Sequence, residues 1–177
     1  MPRFMKDGIN RVEFDNTRFI FNTNFEGDPR KDNYGSSERK GNVIIPDANL
    51  AMDLRDSGFN VRTTKPRPGY EEDFVPEYYI AVKLNFNTVP GRRPPHVVLV
   101  APNGAMVPLD EESVKQIDDL QRSRSIRNVR VQCNMRFNDD NRNTLYISHM
   151  YVEQEMDDDP YAKYYRKEDA DGAPWND

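Results

Sequence analysis

At 177 residues, with a formal net charge of −5 and a single cysteine, the chain is long enough to bury one core without disulfides or a structural metal. One thiol cannot form an internal disulfide, and two histidines, His96 and His149, leave almost no material for a zinc site. No apolar run follows the first basic residue and none approaches a membrane span, so a soluble intracellular protein without a signal peptide is expected.

Residues 1–10 read as a flexible arm, and residues 11–155 as the folded domain. Arg11 to Phe25 predicts one long strand in which Phe19, Phe21, Thr23 and Phe25 share a face and Arg18, Ile20, Asn22 and Asn24 share the other. Glu26–Gly41 is polar and rich in Gly, Asp, Asn and Ser, which predicts a long loop; it carries Arg30, Lys31, Tyr34, Arg39 and Lys40. Asn42–Pro46 is a short buried strand. Asp47 then caps a helix with Leu50, Ala51 and Leu54 at helical spacing and Gly58 as its stop. Phe59–Thr64 returns as a strand that exposes Arg62 if Phe59, Val61 and Thr63 face inward. Lys65-Pro-Arg-Pro-Gly-Tyr follows as a proline-stiffened basic loop, and Glu71–Asp73 as an acidic one.

Glu77–Phe86 carries the clearest alternation: Tyr78, Ile80, Val82, Leu84 and Phe86 against Tyr79, Ala81, Lys83 and Asn85. After a Pro/Gly/Arg loop, His96–Ala101 is a continuous apolar run, hence a buried strand. Asn103-Gly turns the chain so that Met106 and Val107 pair back. Asp110 caps a second helix with Val114, Ile117 and Leu120 on its apolar side. Ile126–Glu155 is a hairpin: Val129, Val131, Cys133, Met135 and Phe137 form a core face, while Asn128, Arg130, Gln132, Asn134 and Arg136 face outward. Cys133 therefore reads as a reduced core thiol. Six to eight strands, two short helices and no βαβ rhythm predict a mostly β fold, an antiparallel barrel or sandwich with inserted helices.

Enzyme signatures are scarce. The sequence has no Gly-x-Gly-x-x-Gly, no Walker-type phosphate loop, no Gly-x-Ser-x-Gly and no His-Glu-x-x-His. Asp139-Asp140 and Asp157-Asp158-Asp159 are adjacent acids of the kind usually solvated, since oxygen-ligand metal sites need ligands converging from several positions. His149, alone in a strand, reads as a packing residue. No catalytic residue, metal or cofactor is expected.

The positive signal is the interleaving of cations and aromatics. A groove for single-stranded nucleic acid needs cations along the phosphates and flat rings under the bases. Arg62, Lys65, Arg67, Tyr79, Lys83, Arg130 and Arg136 have that character on strands and their ends, and Tyr34, Arg39 and Lys40 have it in the long loop. The plainer alternative is a set of solvated sheet faces with core tyrosines. Residues 1–155 are nearly balanced, with 22 Lys/Arg against 23 Asp/Glu, whereas residues 156–177 carry 3 against 7. That acidic segment, ending Pro174-Trp175-Asn176-Asp177, is expected to be disordered. Trp175 and Asp177 are its candidate partner-docking residues.

Several stretches in order carry a resemblance. They are Tyr34-Gly35 with Gly41-Asn42-Val43, and Gly58-Phe-Asn-Val-Arg with Lys65-Pro-Arg. Next come Arg93-Pro-Pro-His-Val-Val-Leu-Val and the helix Leu109-Asp110…Val114…Ile117-Asp118. The last is Thr144-Leu-Tyr-Ile-Ser-His-Met-Tyr-Val before the acidic end. From about Phe19 to Tyr164 the chain resembles the bacteriophage-encoded OB-fold single-stranded DNA-binding proteins. The resemblance implies an OB-fold-like antiparallel β-barrel with two inserted helices. It also implies sequence-tolerant, non-enzymatic binding of single-stranded DNA in phage replication, recombination or repair, in the host cytoplasm. Replication or recombination proteins would meet the acidic tail, and a homo-oligomer is compatible with this reading. The rival is a structural or assembly β-module of the phage particle that meets protein instead of DNA; a metal-dependent nuclease ranks last.

Overall fold

The computed structural model describes residues 5–6, 9–32, 34–87, 93–137 and 143–155. The turn bearing Asp139 and Asp140 and the acidic segment 156–177, with Trp175 and Asp177, lie outside these residues. Ten strands and two α-helices are present among the described residues. The strands are β1 (Met5–Lys6), β2 (Ile9–Thr17), β3 (Phe19–Asn24), β4 (Arg39–Ile45), β5 (Arg62–Thr63) and β6 (Tyr78–Leu84), then β7 (His96–Val100), β8 (Met106–Leu109), β9 (Ile126–Arg136) and β10 (Thr144–Gln154). The helices are α1 (Ala48–Asp56) and α2 (Lys115–Arg122). No helix among these residues is long and apolar enough to cross a membrane.

The strands form one mixed sheet along the path β1-β2-β9-β10-β6-β4-β3, with β5 added to β6, β7 to β10, and β8 to β7. The antiparallel barrel expected from the sequence is corrected in two respects. Strand β10 runs parallel to β7, with His149 opposite His96 and Val152 opposite Leu99, and it meets β6 in parallel at Tyr146 and Lys83. Parallel neighbours need a long connection between them, and residues 101–143 supply it. The ladder is also open: its end strands, β1 and β3, are not hydrogen-bonded to each other, and neither are β2 and β3. The latter two are instead consecutive in the chain, with Arg18 between them.

That break corrects the single strand expected over Arg11–Phe25. At the junction, Ile44 N donates to Arg18 O at 3.0 Å and Thr17 Oγ1 donates to Ile44 O at 2.6 Å. The chain bends there from its pairing with β9 to its pairing with β4. Within β3 the alternation breaks as well, where the pairing with β4 shifts register between Ile20 and Asn24 and Phe21 takes a φ of +65°: Phe19, Thr23 and Phe25 are buried, but Phe21 is 58% exposed.

Two further expectations are corrected: β4 begins at Arg39, inside the stretch read as a long loop, and the strand expected over Phe59–Thr64 is only the two-residue β5. In the longer strands the sequence patterns hold. In β6, Ile80, Val82 and Leu84 are buried, and in β9 Val129, Val131, Cys133 and Met135 are buried, which is the period-2 rule at work. β9 and β10 form the expected hairpin, from Arg136 opposite Thr144 to Ile126 opposite Gln154. Phe137 is the exception; it lies just past β9, 42% exposed, edge-on to Phe59 at 5.5 Å. Asp47 caps α1, accepting from Asn49 N at 2.9 Å and Leu50 N at 3.4 Å, and Ala51 and Leu54 enter the core. Asp110 acts one turn earlier than expected. It caps the turn ahead of α2 by accepting from Glu112 N and Ser113 N, bonds that hold its carboxyl below the usual range. Burial alone pushes the Cys133 thiol far above its ordinary range, so it is inert.

Asp118 is buried on α2 and does the work of a clamp. Its carboxylate accepts from Thr23 Oγ1 at 2.6 Å, Phe25 N at 2.8 Å and Glu26 N at 2.9 Å, with Lys31 Nζ at 3.6 Å. These bonds tie α2 to the end of β3 and to the start of the loop that runs to β4.

Candidate nucleic-acid interface

Gly41 determines which way its neighbours on β4 point. It is buried, and a Cβ there would sit 2.8 Å from the Phe25 ring and 2.9 Å from Thr23 Cγ2. With Gly41 pressed inward, Lys40 and Asn42 face outward. Across the antiparallel pair, Lys40 lies opposite Lys83, Asn42 opposite Ala81 and Ile44 opposite Tyr79. Arg62 joins from β5, also opposite Tyr79.

Lys40, Asn42, Arg62, Ala81 and Lys83 line a groove of about 780 Å³, together with Asn60 and Asn143, while Ile44 and Tyr79 lie beyond its lining. The Asn143 amide donates to Ser57 O at 2.8 Å and so fastens the start of β10 to the end of α1. Asn60, with its amide turned so that both ends are satisfied, accepts from Arg62 Nε and Nη2 at 3.2 Å. The groove thus presents three strand-borne cations, one amide on β4 and two amides just outside β5 and β10.

The cations are not equally available. Lys83 Nζ is 2.7 Å from Glu38 Oε2, and Lys40 Nζ is 3.2 Å from Asp32 Oδ1 and 3.8 Å from Glu38 Oε1. Both acids come from the loop between β3 and β4. Asp32 also accepts from Ser36 N and Tyr34 N, and these bonds keep its carboxyl below the usual range. Nearby, Arg30 holds Asp28 down to about 2 through their hydrogen-bonded pair. Arg62 has no carboxylate in ion-pair distance among the described residues.

The other sequence candidates divide. Lys65 and Arg67 are exposed on the loop that leaves β5 beside Arg62, and Tyr34 is 94% exposed on the β3–β4 loop. Arg136 is exposed opposite Thr144, a groove residue, and so stands at the rim. Arg39 turns the other way: its Nη1 donates to Phe25 O at 2.7 Å and Glu111 O at 3.1 Å, with the guanidinium over Phe86. Arg130 lies in a second groove of about 580 Å³ with Glu13, Asp15 and Glu153. There its Nε is 2.5 Å from Glu13 Oε2, a bond that raises its proton affinity. His149, expected to pack inside, is exposed in that same second groove, with Nδ1 3.2 Å from Ser148 Oγ. A bulge between Ile147 and His149 turns it outward. Among the described residues, no three His, Cys, Asp or Glu side chains converge as a metal site.

Residues 2–164 match the family model described as "Putative phage ssDNA-binding domain". The chain belongs to this family. No curated protein and no solved structure matches it. In this phage single-stranded DNA-binding domain, sequence patterns brought out Lys40, Arg62 and Lys83 but not the amides Asn42, Asn60 and Asn143 that share their groove. Alternation on β4 was the available signal for Asn42, two residues from Lys40. Nothing local marks Asn143, which reaches the groove through its bond to Ser57.

Proposed function

We propose that this protein is a non-enzymatic, sequence-tolerant binder of single-stranded DNA, serving strands exposed in phage replication, recombination or repair. The observation that carries the proposal is the convergence of Lys40, Arg62 and Lys83 in one groove of a chain from a phage single-stranded DNA-binding family. Strand-borne cations at fixed spacing suit a flexible phosphate backbone, and a sheet face offers no pocket shaped to one base. Lys65, Arg67 and Arg136 extend the positive track along the rim, and Tyr79 offers a ring beside Arg62. Arg130 belongs to the second groove, where three carboxylates surround it, and is assigned no DNA contact.

An OB-like barrel is the fold that best accounts for the strand order. What supports it is that the path β2-β9-β10-β6-β4-β3 starts and ends on one bent segment. The β3–β4 loop reaches the groove through Glu38, as the binding loops of OB-folds flank theirs. The test is fluorescence polarisation on a labelled single strand. Arg62→Ala combined with Lys83→Ala weakens binding at least tenfold on all sequences alike, while Arg130→Ala stays within about twofold. Equal losses from the two changes would move the interface off this groove.

A further inference from the structure

Phe21 is the least comfortable residue in the fold. Its φ is +65°, a left-handed conformation that is a real outlier for a bulky side chain. The ring is also 58% exposed, so its backbone strain is not offset by burial. Core packing does not require it, because Phe19 and Phe25 fill the inner side and meet edge-on at 5.4 Å. The unusual backbone is held from outside the strand: Gln121 Nε2 on α2 donates to Phe21 O at 2.9 Å and reaches Phe19 O at 3.4 Å. Phe21 meets Tyr79 edge-on at 5.4 Å, and Tyr79 is the cross-strand partner of Arg62 in the cationic groove. Strain that presents a hydrophobic ring to solvent, beside a track of cations, points to a ligand with flat faces and negative charge.

We propose that Phe21, held by Gln121 and paired with Tyr79, is a base-stacking residue that receives unpaired bases at the Arg62 end of the groove. The inference rests on the single-strand-binding reading and adds to it the residue that grips the bases instead of the phosphates. Gln121 is a positioning residue.

The experiment compares an oligo-dT strand with an abasic deoxyribose-phosphate strand of equal length, at one salt concentration. Phe21→Ala weakens dT binding roughly five-fold or more, as expected for loss of one stacked base, and leaves abasic binding unchanged. Its salt dependence on dT stays that of the wild type, because no phosphate contact is lost. Phe21→Gly keeps the wild-type Tm or raises it, since glycine adopts this φ freely, yet it loses dT affinity as Phe21→Ala does. Wild-type dT affinity in both variants would overturn the platform while leaving the groove intact. Equal losses on dT and abasic strands would also overturn it. A wild-type protein that binds neither strand would overturn the platform together with the reading beneath it.

Discussion

Lys40 and Lys83 lie directly opposite each other on neighbouring strands, where like charges repel. Glu38 and Asp32 offset that repulsion in the free protein. Phosphate arriving at the groove must displace Glu38, so this carboxylate competes with the ligand. Exposed pairs of this kind contribute about 0.2–1 kcal/mol each. Glu38→Gln is therefore expected to tighten single-strand binding by about two- to fivefold at low salt, measured by polarisation, with the gain fading at high salt. Weaker binding would mean that Glu38 orders the lysines for DNA and does not oppose it. Alternation made Lys83 legible in the sequence as an outward residue. It could not show Glu38 next to it, because that contact depends on how the intervening loop returns. Phe21 escapes the pattern for a related reason: alternation counted from Phe19 assumes a regular strand, and the register shift between Ile20 and Asn24 and the positive φ lie in backbone geometry that the pattern does not encode.

At the scale of elements, the β3–β4 loop and α2 are held together by one buried carboxylate. Asp118 satisfies Thr23 Oγ1, Phe25 N and Glu26 N together, and each donor would be left without its partner if the carboxylate were removed. Orphaned buried donors cost about 1–3 kcal/mol each, less where water can reach them. Asp118→Ala should lower the unfolding free energy by about 3 kcal/mol, seen as a lower urea midpoint; a loss under about 1 kcal/mol would contradict the clamp. Much of the element pattern was legible: α1 from Asp47 and Gly58, β6 and the β9–β10 hairpin from period-2 alternation. The clamp left a weaker trace. Val114, Ile117 and Asp118 fall at i, i+3 and i+4, so a carboxylate sits on the buried stripe of α2. What the patterns could not reveal is the parallel placement of β10 beside β6 and β7, since a strand reads the same whichever way its neighbour runs.

For the molecule as a whole, the sheet carries two grooves of opposite character. One, over β4, β5 and β6, gathers Lys40, Arg62 and Lys83; the other, over β2, β9 and β10, sets Glu13, Asp15 and Glu153 around Arg130. The near-neutral sum of charges in residues 1–155 conceals this division, which is why composition alone gave no strong sign of a polyanion partner. The division also makes binding depend on a small, countable set of cations. With about four to six of Lys40, Arg62, Lys65, Arg67, Lys83 and Arg136 on phosphate, each contact contributes about 0.7 to the salt slope on a single strand. The decisive measurement is a polarisation titration of single-stranded and duplex DNA across a salt series. A slope of log K against log salt of roughly −3 to −4 on the single strand, with duplex bound far more weakly, is the predicted result; a flat slope, or equal affinity for duplex, would contradict it.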